Sequence, residues 1–324
     1  QAIWMYYNLR KNNSGLYLNF SINKLFNKNR ETQKFFKLLF PAILGNGAYQ
    51  LNLLIDMILA STLPDGSISY LYYADRVNQL PLGVLGISIS TALLPLLSSQ
   101  IKKNQLQEAN ESISKAVKFG ILFSIPAFFG ILIFSNEIIS FLFFRGEFEF
   151  TDVGLTATAL VALSFGLPAF IMIKILVVPF FAKEDTKTPI KISLACMLIN
   201  LLLNLILIRD FYHVGLAIST SASAWINAFL LFYILKRRNN FSFDRSIIKV
   251  CLKVFTSSII MSILIIQIHK MFLINLSEYS FFNTNFALVV CIIFGIIIYI
   301  ATLYILGIKE FEIDKWKNQK KKLN

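Results

Sequence analysis

The chain has 324 residues, of which 56% are hydrophobic and only 15% charged, with a mean hydropathy of +0.64 and a formal net charge of +13. Soluble domains carry about a quarter charged residues, so this composition belongs to a membrane protein rather than to a soluble enzyme or binding module. The excess of positive charge raises nucleic acid as a partner, a reading that the placement of the basic residues removes below.

The sequence opens on Gln1, and "QAIWMYYNL" reads as the tail of an apolar run, so a preceding stretch is expected. The segment 1–34 is basic and polar with scattered apolar residues, which predicts a cytoplasmic loop carrying a short interfacial helix. A membrane-spanning helix needs about 20 apolar residues. Runs of that kind lie at 35–61, 69–98, 116–135, 154–181, 191–208, 214–235, 247–269 and 285–306. The expected fold is therefore all-α, a polytopic membrane bundle of about eight spans. Residues 35–235 read as a six-span lobe, and 236–306 as a linker, "KRRNNFSFDR", and two further spans. The basic tail 307–324 is solvated.

In the first span, Asp56 is the lone acid of "NLLIDMILAS". The second opens with "YYADRVNQLPLGVLGISISTALLPLLS", placing Arg76 about two turns from the outer end. A charge deep in the bilayer costs about 2.5–3.5 kcal/mol on insertion scales and so faces a partner or a cavity. Arg76 has two readings. It snorkels to the interface or pairs with Asp75; or it forms an anion site, because its planar guanidinium binds phosphate oxygens bidentately. Asn78 and Gln79 add polarity, and Pro81, Gly83 and Gly86 favour a kink that exposes backbone to a cavity.

Residues 99–118, with "KKNQLQEANESISKAVK", form a polar helical linker to the third span. Beyond it, "FFRGEFEF" (143–150) is a short outer loop whose acids have no evident partner. The fourth span holds Lys174 in "FIMIKILVVPFF", which either snorkels to the cytoplasmic side or contacts an anionic substrate. The fifth carries Asn200 and Asn204, one turn apart on one face, and the sixth carries Thr220. With Asp56 they fall at similar depth near the outer side. Such a set is either polar glue between helices or an oxygen-rich site for a hard cation.

All but five of the 31 Lys and Arg lie in alternate connectors or beside them, the exceptions being Arg76, Arg145, Lys174, Arg209 and Lys270. Basic residues stay on the cytoplasmic side, so both ends of the chain are expected there. Topology thus accounts for the charge, and no nucleic acid is expected. Cys196, Cys251 and Cys291 sit in apolar runs without metal-type spacing, and His213 and His269 at span ends. No phosphate loop, H-E-x-x-H or nucleophile elbow is present, so no catalytic residues and no enzyme activity are expected.

The second-span motif resembles the lipid II flippase family called MurJ or MviN, of the multidrug/oligosaccharidyl-lipid/polysaccharide exporter superfamily. The resemblance extends to "FPAILGNGAYQLNLLIDMILAS" (40–61), "LFFRGEF" (142–148), "GLPAFIMIKILVVPFFAKEDTKTPIKI" (166–192) and "GLAISTSASAWINAFLL" (215–231). It implies the C-terminal lobe and final helix pair of a fourteen-span transporter of the bacterial inner membrane, with an N-terminal lobe absent from this chain. It implies that lipid II, an undecaprenyl-diphosphate-linked muropeptide, is moved by alternating access, with Arg76 meeting its diphosphate; Gln79 beside it and Lys174 are the further substrate contacts expected from their own placement. The family's sodium site corresponds to Asp56, Asn200, Asn204 and Thr220, and sodium is the one ion expected. Two positions depart from the family: Gln79 and Asn204 stand where members carry acids, which makes both sites less anionic. The last two spans would form a groove for the lipid tail. Rival readings are an exporter of drugs or other polysaccharide lipids, a polyprenyl-lipid membrane enzyme, and a scaffold without transport.

Overall fold

The computed structural model describes residues 50–238, 245–275 and 281–308, all within the compact unit Leu44–Asn324. The expected interfacial helix of 1–34, the first half of the first span, the middle of the 236–245 linker and the tail beyond 308 lie outside the described residues.

Among the described residues every regular element is a helix. This is what a bilayer demands of a spanning chain, since each backbone N–H and C=O must be satisfied within its own segment. The elements are α1 (Gln50–Ala60), α2 (Ser67–Pro81), α3 (Ser88–Lys102), α4 (Leu106–Phe143), α5 (Phe150–Ser164), α6 (Leu167–Ala182), α7 (Lys187–Arg237), α8 (Arg245–Asn275) and α9 (Phe281–Ile305). A π-helical stretch, Leu82–Ile87, joins α2 to α3, so the second expected span is one rod widened in the middle. It begins where Pro81 withdraws a backbone donor and its ring disturbs the preceding turn. The polar linker expected at 99–118 is for the most part the first turns of α4, continuous with the third span.

The fourth span departs from the expected continuous helix. It breaks between Ser164 and Leu167, and the axes of α5 and α6 differ by 42°. Gly166 stands at the break and Pro168 in the first turn of α6. The carbonyls freed there find donors on α7: Ser221 Oγ donates to Ala162 O at 2.6 Å and Trp225 Nε1 to Phe165 O at 2.9 Å. Gly166 is required by contact, because a Cβ there would lie 2.9 Å from Ser221 Cα.

The fifth and sixth expected spans form one continuous element, α7, which turns back on itself at Tyr212 (φ 50°, ψ −132°). Asn200 donates to the hydroxyls of Thr220 and Ser223, each at 3.4 Å. On a straight helix, residues 20 apart would be separated by about 30 Å. The two limbs are therefore an antiparallel hairpin. Gly215 lets them close, since a Cβ there would sit 2.6 Å from Leu207 O. His213 braces the turn, its Nε2 lying 3.0 Å from Leu155 O.

The main core gathers buried side chains of α2 to α7, among them Leu97, Leu160, Ile171, Phe180 and Leu235. A second core joins α8 and α9 to the flank of α4 through Leu122, Phe134, Val254 and Cys291. Tyr299 of α9 donates to Leu122 O at 2.5 Å across that seam. Outward faces carry Leu, Ile, Val and Phe, such as Ile58, Val84, Leu202, Phe229 and Ile305. In lipid these are solvated by acyl chains. Cys196 and Cys291 are buried in the cores, and all three cysteines are free thiols.

Candidate functional site

Among the described residues, two polar clusters lie inside the spans. The first is built on α2. Arg76 is exposed, and its guanidinium carbon lies 4.7 Å from the centroid of the Tyr72 ring, one turn back. Residues at i and i+4 share a face, so the ring supports the cation by its π electrons. On the other side Arg76 donates to Gln79 Oε1 at 3.2 Å, and Gln79 in turn donates to Asp75 through a short bond. The direct Arg76–Asp75 pair weighed from the sequence does not form: among the described residues no ion pair joins them, and Gln79 stands between. Asn78 points the other way, buried, with its Oδ1 unpartnered.

Lys174 does not join this cluster. Its stem lies against Gly86, where an added Cβ would meet Lys174 Cγ at 3.5 Å. That contact is ten residues beyond Arg76, about 15 Å along the helix axis. The exposed Lys174 thus lies beside the π-helical stretch, well separated from Arg76.

The second cluster joins α1 to both limbs of α7. Asn204 Nδ2 donates to Asp56 Oδ1 at 2.7 Å and to Asn200 Oδ1 at 3.0 Å. Thr220 Oγ1 donates to Asp56 Oδ2 at 3.4 Å. The hairpin at Tyr212 makes this assembly, since it places 200–204 opposite 220–223. Two further residues belong to it. Asn52, one turn before Asp56, donates to Asp56 Oδ2 at 3.3 Å, and Ser223 accepts from Asn200. Both sit at i±3 or i±4 from residues singled out by the sequence, a spacing that would have found them.

The oxygens here fit a hard monovalent cation. Asn204 Oδ1 and Asn52 Oδ1 are buried without a donor, although Asn204 is fully enclosed. Unsatisfied buried carbonyl oxygens are costly, and a cation satisfies them. Asn52 and Asn204 present amide N–H groups to Asp56, so an oxygen-only donor set with its carboxylate and the Thr220 hydroxyl requires both amides to turn over. Among the described residues no group of three or more His, Cys, Asp or Glu has metal-site geometry.

Several comparisons bear on what this arrangement serves. An outward-facing multidrug transporter of the MOP superfamily shares the fold, with TM-score 0.57 at 16% identity over 84% of this chain and 64% of that one. The fold is thus a multi-pass helical membrane bundle. A solved structure described as "Lipid II flippase MurJ, inward closed conformation" is nearer, with TM-score 0.70 at 29% identity over 88% of this chain and 58% of that one. The sequence profile described as "Lipid II flippase MurJ" matches residues 1–306, and the chain belongs to that family. "Probable lipid II flippase MurJ" of Rickettsia prowazekii is 39% identical over 273 residues, 84% of this chain and 54% of that protein. Its counterpart in Haemophilus influenzae is 36% identical over 287 residues, 86% and 55% respectively. The chain spans about half the length of the curated relatives it matches. It is a multi-pass bacterial membrane protein.

Proposed function

We propose that the chain serves to move lipid II, the lipid-linked peptidoglycan precursor, from the inner to the outer leaflet of the bacterial inner membrane, and that it carries no enzyme activity. The observation that carries this reading is Arg76. Its guanidinium lies two turns inside a span, exposed, stacked on Tyr72 and bonded to the Gln79 amide, with no direct ion pair to the neighbouring Asp75 carboxylate. A guanidinium at that depth whose fork is not engaged by a carboxylate is poised for an anion, and a diphosphate supplies oxygens for it.

Membership of the family supports the substrate, and the distribution of Lys and Arg supports cytoplasmic ends. Lys174, exposed on the cytoplasmic half, meets the anionic headgroup before it reaches Arg76. The core between α4 and the α8–α9 pair backs the surface along which the lipid tail runs. Transport proceeds by rocking of this bundle against a facing N-terminal lobe, so that the headgroup site opens first to one side and then to the other.

Asp56, Asn200, Asn204 and Thr220, with Asn52, would hold sodium, which supplies positive charge that offsets the buried carboxylate. Movement of one charge across the membrane is worth about 2.3 kcal/mol per 100 mV, enough to bias the return of the bundle.

The test uses the gene that carries this chain in bacteria depleted of their own flippase. Wild type is expected to restore growth and outer-leaflet lipid II, and Arg76→Ala at equal membrane level to restore neither. Growth with Arg76→Ala, or wild-type protein that moves no lipid II, would overturn the reading.

A further inference from the structure

The outer ends of α2, α4 and α5, with the connector 144–149, line an open cleft of about 510 Å³ that the transport reading leaves unused. One wall is aromatic. The Tyr73 ring packs at 4.5 Å on Phe143 and at 5.5 Å, edge to face, on Phe148. The opposing rim is charged, with Arg145, Glu147 and Asp152. Asp152 is committed, accepting from Tyr70 Oη at 2.7 Å and from the Glu149 N–H at 2.8 Å. Arg145 and Glu147 are not. Both are exposed, and neither side chain has an ion pair or hydrogen bond among the described residues.

The chemistry of this lining is selective. An acyl chain gains nothing from three charged groups at its rim, and a small ion gains nothing from an aromatic wall. A pyranose ring suits both: its C–H face lies on an aromatic ring, while its hydroxyls donate to carboxylate oxygens and accept from guanidinium N–H groups. The volume is within the range of small-molecule sites, about 300–1,000 Å³.

Register connects the cleft to the anion site. Ser69 and Tyr73 line it, and Arg76 follows at the i+7 position of the same helix face. From Ser69 to Arg76 is about 10 Å along the axis, the order of two linked sugar rings.

We propose that this cleft is a carbohydrate subsite, which takes the acetylated amino-sugar part of the headgroup at the outer face while Arg76 holds the diphosphate. Tyr73 supplies the stacking face, Glu147 accepts from sugar hydroxyls or amide N–H groups, and Arg145 takes a carboxylate of the attached peptide. The proposal rests on the transport reading given above.

The full gene product, purified in detergent, is titrated with lipid II and with undecaprenyl diphosphate, which lacks the sugars. Wild type is expected to bind lipid II on the order of tenfold more tightly, about the worth of one charge-assisted hydrogen bond. Arg145→Ala and Glu147→Gln, both at exposed positions, should each remove most of that advantage while affinity for undecaprenyl diphosphate stays the same. Tyr73→Leu, which keeps apolar bulk against Phe143 and Phe148, should do likewise. Equal affinity of wild type for the two lipids, or an advantage that survives all three substitutions, would overturn the subsite and leave the transport reading standing. Failure of the folded wild type to bind either lipid would overturn both.

Discussion

Arg76 is held from two sides, and each support can be withdrawn separately. Tyr72→Leu removes the ring beneath the guanidinium, a contact worth about 0.5–1 kcal/mol where exposed. Transport should fall a few fold, while Tyr72→Phe should retain nearly all of it. Arg76→Lys keeps the charge but not the fork, and should fall between wild type and Arg76→Ala when outer-leaflet lipid II is measured. Asp56→Asn removes the carboxylate that the Asn204 and Thr220 donors surround. Sodium dependence of transport should vanish in that variant; if it persists unchanged, the cation is held elsewhere. Much of this geometry is legible in the sequence. Asp56, Asn200, Asn204 and Thr220 share a depth, and an apolar span gives polar groups few other partners. Asn52 has the same helical spacing, yet a neutral amide carries no charge whose cost in the bilayer would single it out. Tyr72 is equally well spaced, but an aromatic residue there reads as an interface anchor. That Gln79 intervenes between Asp75 and Arg76 depends on rotamers, which spacing does not fix.

Helix breaks are the least legible elements. Apolar runs locate the crossings because the bilayer requires their length, yet a run looks the same whether its helix is straight, broken or widened. The α5–α6 break has Gly166 and Pro168 as its local signs, but the donors that make it tolerable, Ser221 and Trp225, lie on another crossing. Gly166→Val should lower thermal stability by about 1–3 kcal/mol, the usual range for overpacking, because its side chain meets the backbone of Ser221. The hairpin at Tyr212 is legible as two runs separated by "RDFYH", whereas its geometry is not. A non-glycine residue at φ 50° and ψ −132° is strained, by about 1–3 kcal/mol. Tyr212→Gly should therefore raise the melting temperature, measured in detergent, with the fold unchanged; a fall would show that the exposed tyrosine ring contributes more than the strain costs.

At the scale of the molecule, helix ends beyond the apolar runs are tied together. Arg238, at the end of α7, bonds Asp185 at 2.6 Å and Thr188 at 3.2 Å, closing the connector between α6 and α7 onto the hairpin's far end. Partial burial pushes the Asp185 carboxyl up, but the Thr188 hydroxyl, Arg238 and the Thr188 N–H together outweigh it and leave the group below its ordinary value. A carboxyl depressed by folding stabilises above its unfolded pKa and loses that contribution as pH falls through the folded value. The tie should thus be at full strength from neutral pH down to about pH 4 and be lost below it. Arg238→Ala should lower stability at neutral pH by up to about 1 kcal/mol, since both partners are partly exposed. That deficit should shrink in acid. A deficit that does not vary with pH would place the effect in packing instead. The shared hydrogen bonds at the α5–α6 break carry a further consequence. Two carbonyls of one crossing are satisfied only by donors of another, so neither crossing can slide past the other without stranding a polar group in hydrocarbon. They are geared together, and any bending of the bundle must occur somewhere that keeps its backbone bonding to itself.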